Sequence, residues 1–177
     1  MKALRLVIVL IFLGSTGFVC AQNQTTAIVT AYPNLEAQAK EYGDAFVRDD
    51  VERLVELSSP KYIEIAGGKE KLIGAGKATR KQFEQNGIQL LSWTPIEGLQ
   101  LVEESGTLYA VVPMAMRTKG RGYLFEDYDC LIAVSNDGGE HWTFVSSTCV
   151  RLKDAFPQVA EKLILCPDRQ QVRLAQP

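Results

Sequence analysis

Apolar residues return every three to four positions along the first part of the chain and every second position through its middle. Leu35, Ala39, Tyr42 and Phe46 form one stripe, which predicts a helix over 34–48 with Asn34 as its cap. Asp49 and Asp50 open a second, shorter helix carrying Val51, Leu54, Val55 and Leu57. Asp49 with Glu52 three residues on has the form of a capping box, and Ser58-Ser59-Pro60 ends the segment. Residues 62–65 (YIEI) read as a short β-like piece punctuated by Gly67 and Gly68. A third helix is expected over 69–86 around Leu72, Ile73, Ala78 and Phe83, with Asn86-Gly87 as its stop. Gly74 and Gly76 each weaken that helix by up to about 1 kcal/mol relative to alanine.

From residue 88 the period falls to two, and strands are expected near 88–95, 98–104, 107–117, 123–135 and 141–150. The breaks between them carry turn chemistry: 104–106 (ESG), 119–122 (KGRG) and 136–139 (NDGG). Helices first and strands afterwards imply an α+β fold, not a parallel α/β sheet. Pro157 suits the first position of a last helix that ends before Pro167. Residues 22–33 are polar and small, as in a linker, and no repeat of 20 to 50 residues is visible.

Ahead of the linker, Lys2 and Arg5 precede an apolar run from Leu6 to Leu13, then small and polar residues ending at Val19-Cys20-Ala21. That order is a signal peptide over 1–21, cut after Ala21, and it implies a secreted or periplasmic product. The run falls short of the roughly 20 apolar residues a membrane span needs, and no second span follows. A lipoprotein acylated at Cys20 fits less well, because Val19 stands where a small residue should precede the cysteine. The remaining chain has 17 basic against 21 acidic residues, a formal net charge of −4, and no basic patch for nucleic acid.

Cys130, Cys149 and Cys166 are left after cleavage, and an exported protein can keep a disulfide. Pairing Ser135 with Trp142 across the hairpin puts Cys130 opposite Ser147, with Cys149 one diagonal step away. A Cys130–Cys149 bridge would close about 20 residues and contribute about 3 kcal/mol. Cys149–Cys166 is the competing pairing. His141 is the single histidine and lies at a turn, so neither a histidine-based catalytic site nor a metal site is expected, and no cofactor is implied.

The stretch 61–73 (KYIEIAGGKEKLI) and the strand block 107–148 resemble the nuclear-transport-factor-2-like superfamily, also described as a cystatin-like or SnoaL-like cone. The resemblance covers about 34–150 and rests on element order. It implies three N-terminal helices packed on a curved antiparallel sheet of four to five strands, with a short C-terminal helix after it. The sheet would wrap the third helix to leave a conical pocket, used by some members for isomerase, dehydratase or cyclase chemistry and by others for binding or dimerisation. Residues 135–142 (SNDGGEHW) also resemble the Asp-box of sialidase propellers. A propeller needs several copies and this chain has one, so the motif reads as a hairpin device.

Candidate chemistry gathers in Glu126-Asp127-Tyr128-Asp129. Period two places Glu126, Tyr128, Cys130, Ile132 and Val134 on one face and Asp127, Asp129, Leu131 and Ala133 on the other. Whichever face turns inward brings carboxylates to the pocket, where an apolar setting raises a carboxyl pKa. Tyr62, Tyr109 or Tyr128 would supply a hydroxyl, the combination used by the ketosteroid isomerases of that superfamily. The candidate ligand-binding residues are therefore Tyr62, Tyr109, Glu126, Tyr128 and Asp129. Arg117, Lys119 and Arg121 read as a solvated hairpin tip. The favoured expectation is a non-catalytic domain that binds a small apolar ligand or a protein partner, with a homodimer through the outer sheet face. The alternative is a pocket enzyme using Glu126 or Asp129 with a tyrosine.

Overall fold

Pro33 opens the first helix because its fixed φ suits a first helical position and its missing N–H costs nothing there. The computed structural model describes residues 31–166 and 172–174, so the expected signal peptide (1–21) and most of the expected linker lie outside the described residues. Helix α1 (Pro33–Val47) buries Leu35, Ala39, Tyr42 and Ala45. Its cap position is Tyr32, and the expected cap, Asn34, instead donates from Nδ2 to the Glu140 carbonyl at 3.3 Å. Helix α2 (Val51–Glu56) is capped by Asp50, whose carboxylate accepts the Arg53 amide at 3.1 Å. Asp49 takes the left-handed linking conformation (φ 63°), which moves the cap one residue later than the sequence pattern implies.

The expected β-like piece at 62–65 is helical. Helix α3 (Pro60–Ile65) starts at a proline preceded by Ser59 in an extended conformation (ψ 132°). The local strand preference yields because the neighbouring strand edge is already taken by the residues just before: the Ser59 amide donates to the Phe144 carbonyl at 2.8 Å, and the Phe144 amide donates to the Leu57 carbonyl at 2.8 Å. Helix α4 (Lys69–Gln85) follows the glycine pair. Gly76 in it lies against α2, where a Cβ would stand 3.0 Å from Val51 Cγ1, a tight approach.

One curled antiparallel sheet makes up the rest: β1 (Gln89–Pro95), β2 (Gln100–Glu104), β3 (Thr107–Gly120), β4 (Tyr123–Ser135), β5 (Thr143–Ser146) and β6 (Val172–Leu174). Two long strands, β3 and β4, pair along their length; β1 and β2 share the free edge of β3, and β5 and β6 share that of β4. A bulge between Leu90 and Ser92 bends β1. The architecture is thus α+β, as expected, with a half-barrel sheet. Four helices precede it, two of them short, where three were expected.

Register assigns the faces. Met114 opposes Asp129, Val112 opposes Leu131 and Ala110 opposes Ala133; Met114, Val112, Leu131, Ala110 and Ala133 form a core with Leu35, Ala39, Tyr42 and Trp93. Tyr109, Val111, Cys130, Ile132 and Val145 face the other way and are covered by Ala155, Phe156, Val159 and Leu163. That cover is not the expected helix from Pro157. It is a single turn, α5 (Leu152–Ala155), followed by turns. Pro157 disfavours helix at the residue before it, and Phe156 leaves the helical region at φ −138°, ψ 60°.

The same division corrects both expected cysteine pairings. The β4–β5 register does set Cys130 level with Ser147, whose amide donates to the Cys130 carbonyl at 2.8 Å. The ladder nevertheless stops at Ser146, so Cys149 never reaches its diagonal position. Cys130 bonds instead to Cys166 (Cα–Cα 5.9 Å), which the covering segment brings to the outer face, and Cys149 is an exposed free thiol. No helix among the described residues is long and apolar enough to cross a membrane.

Candidate functional site

Where β5 ends, the backbone turns away and leaves a run of small polar side chains, 146–149 (SSTC), at one end of a hollow between helices and sheet. This cavity, of about 250 Å³, is lined by both polar and apolar side chains. Ser58, Tyr62, Thr79, Asp129, Ser146, Thr148 and Cys149 supply polar atoms; Phe46, Leu54, Val55, Leu72, Trp93 and Met116 make an apolar wall. Pockets for drug-sized ligands span about 300–1,000 Å³, so the guest this hollow suits is smaller.

Asp129 anchors a hydrogen-bonded polar cluster. Its carboxylate accepts from Ser146 Oγ at 2.5 Å, from Ser147 Oγ at 3.0 Å and from the Cys130 amide at 2.7 Å. Ser146 Oγ also lies 2.7 Å from Thr148 Oγ1 and receives the Thr148 amide at 3.2 Å, which holds the hydroxyl run in place. Burial pushes the Tyr42 hydroxyl well above the ordinary tyrosine pKa, against a hydrogen bond with Ser58 that works the other way. Tyr62 is raised too, chiefly by burial, with the neighbouring Cys149 thiol adding to it. Both phenols therefore keep their protons and serve as neutral hydrogen-bonding groups at physiological pH.

Trp93 contributes an indole that packs on Phe46 (centroids 5.1 Å apart) and Tyr42 (5.8 Å). Its N–H is buried with no acceptor among the described residues. An unanswered buried donor costs roughly 1–3 kcal/mol.

No protein-family model, curated protein or solved structure matches this chain. What the site can do therefore rests on its own atoms.

The five candidate residues divide between the two faces of the sheet. Tyr62 and Asp129 line the cavity. Glu126 and Tyr128 lie on the opposite face, in an open groove with Ser92, Thr94 and Arg117. There the Tyr128 hydroxyl donates to Glu126 Oε1 at 2.5 Å, and Arg117 Nε sits 2.6 Å from Oε2. Those two partners, the tyrosine first, hold the Glu126 pKa below the ordinary carboxylate range and make it a weak base. Tyr109 is buried under the covering segment, where its hydroxyl accepts from Gln158 Nε2 at 2.6 Å. The carboxylate–tyrosine pairing sought in the sequence is present, then, but outside the cavity.

Sequence reasoning missed Tyr42, Ser58, Trp93, Ser146, Thr148 and Cys149 as lining residues. The hydroxyl run directly after a strand was the available signal.

The Asp-box residues build a turn, not a site. Ser135 Oγ receives the Gly139 amide at 2.9 Å, and Asp137 Oδ1 receives the His141 amide at 3.0 Å. Trp142 Nε1 donates to the Gly139 carbonyl at 2.9 Å. Contacts from His141 and Ser135 pull the Asp137 pKa far below its ordinary value. The His141 side chain is 86% exposed, as a surface turn residue should be. The turn also grips α1: Gln38 Nε2 donates to the Glu140 carbonyl at 2.9 Å, and the Trp142 amide donates to Gln38 Oε1 at 2.8 Å. Among the described residues no group of three or more His, Cys, Asp or Glu side chains could hold a metal ion.

Proposed function

We propose that this protein is an exported binding domain that holds a small, largely apolar molecule between its helices and its sheet. The observation that carries the reading is a mostly apolar, aromatic cavity wall into which one hydrogen-bonded polar cluster, Asp129 with Ser146 and Thr148, is set. In this reading the helices and the curled sheet form the cone of the nuclear-transport-factor-2-like superfamily, and residues 1–21 direct export before removal.

Binding is favoured over catalysis by where the acid–base groups lie. The tyrosine-paired carboxylate, Glu126, faces the open groove and is neutralised by Arg117, while Asp129 in the cavity receives hydroxyls and an amide. Part of the outer sheet face is covered by the chain's own segment 152–165, which leaves a polar groove for any second copy to meet.

The test is displacement of a neutral fluorescent naphthylamine from purified protein lacking residues 1–21. Micromolar binding is expected, with at least about a tenfold loss in Leu72→Trp, which fills the cavity from its wall; that is about 1.4 kcal/mol. Equal binding by a folded Leu72→Trp protein would place the probe elsewhere and sink the reading.

A further inference from the structure

We infer that the guest is an organic cation: an ammonium group seated at Asp129, with an apolar body lying along the aromatic wall. This rests on the reading of the cavity as a ligand site and adds the chemical class of ligand. Asp129 is the only charged residue lining the cavity among the described residues; no lysine, arginine or histidine joins it there. The contrast with two other partnered acids is direct. Glu126 has Arg117 at 2.6 Å and Asp137 has His141 at 2.7 Å, whereas the donors to Asp129 are neutral, two hydroxyls and one amide.

Neutral donors orient a carboxylate and lower its need for water without cancelling its charge. The polar cluster of the hollow therefore carries a net negative charge beside low-dielectric walls, where Coulomb attraction to a cation is stronger than in water. The walls add to the preference. Tyr42, Phe46, Tyr62 and Trp93 offer aromatic rings, whose negative faces attract ammonium groups. Tyr42 and Tyr62 hold their protons, so neither adds a competing charge. Arg80, a cation of the adjoining crevice, is engaged with Glu84 at 3.6 Å and is not among the residues lining the cavity. A carboxylate-bearing guest, such as a fatty acid, would meet Asp129 as a like charge.

The experiment uses three probes with one apolar body, 4-phenylbutylammonium, 4-phenylbutan-1-ol and 4-phenylbutyrate, titrated calorimetrically into the chain lacking residues 1–21. The expected ranking is ammonium tightest by at least about tenfold over the alcohol, which is about 1.4 kcal/mol, with the carboxylate weakest. Asp129→Asn should bring the ammonium to the level of the alcohol in the same variant. An alcohol or carboxylate that binds the native chain as tightly as the ammonium overturns the cation assignment and leaves the cavity reading standing. An ammonium preference that survives in Asp129→Asn overturns it as well. Binding of none of the three removes the assignment and the cavity reading together. The ranking on the native chain decides even where Asp129→Asn does not fold.

Discussion

Breaking the Cys130–Cys166 bridge tests the fold and its energetics at once. The bond spans 36 residues of sequence and ties the covering segment to the middle of the outer sheet face, where Ile132, Val145, Phe156 and Val159 are buried. Closing a loop of that length removes chain entropy from the unfolded state equivalent to about 4 kcal/mol at room temperature. For a chain of this size each kcal/mol moves the melting temperature by about 2–4 °C. Reduction, or Cys166→Ser, should therefore lower Tm by roughly 8–16 °C. The loop includes Trp142 and Phe144, both in the packed core, so the loss should appear in the main unfolding transition. Calorimetry with and without a thiol reductant measures it. A Cys130–Cys149 bridge would give nearly as large a shift, so the pairing needs its own assay. No lysine or arginine lies between Cys130 and Cys149, and a map without reduction must be cut at Glu140. The expected map links the peptides of Cys130 and Cys166 and finds Cys149 alkylated. A bridge containing Cys149 refutes the geometry; the expected bridge with a Tm shift below about 3 °C refutes the entropic reasoning.

Further outcomes follow from the packing and from the Tyr42 and Tyr62 phenols. Gly43→Ala should destabilise by about 1–3 kcal/mol or more in urea unfolding, because its Cβ would stand 2.1 Å from the Trp93 carbonyl oxygen; Gly74→Ala, with nothing within 4 Å, should stabilise by roughly 0.5–1 kcal/mol. Phenolate absorbance on an alkaline titration should show Tyr42 and Tyr62 ionising well above the ordinary value of about 10. Their protons are held more tightly in the folded state, so this stability is fully present below about pH 10 and falls as pH rises further. Loss of the elevated phenol titration of Tyr42 and Tyr62 while the protein stays folded would refute the reasoning.

Much of the layout was legible before any coordinate. The stripe of Leu35, Ala39 and Tyr42 is buried in α1, and the pairing of Ser135 with Trp142 foretold the β4–β5 register, in which Val134 opposes Thr143. Both signals are local: a helix stripe and a turn with its own hydrogen bonds need no distant partner to form. The alternation along β4 was equally clear, and it sorted Glu126 and Tyr128 from Asp129 correctly.

Tertiary structure alone decided which of those faces meets the cavity. An alternating strand between two layers looks the same from either side, and only the helices on one face and the segment 152–165 on the other tell them apart. The same holds for Cys166, brought to Cys130 by the path of the covering segment, and for residues 62–65, whose strand-like composition gave way to a helix once residues 58 and 59 had taken the neighbouring edge. Local pattern determines what each segment can be; long-range burial and hydrogen-bond pairing, which no window of sequence contains, choose among those options.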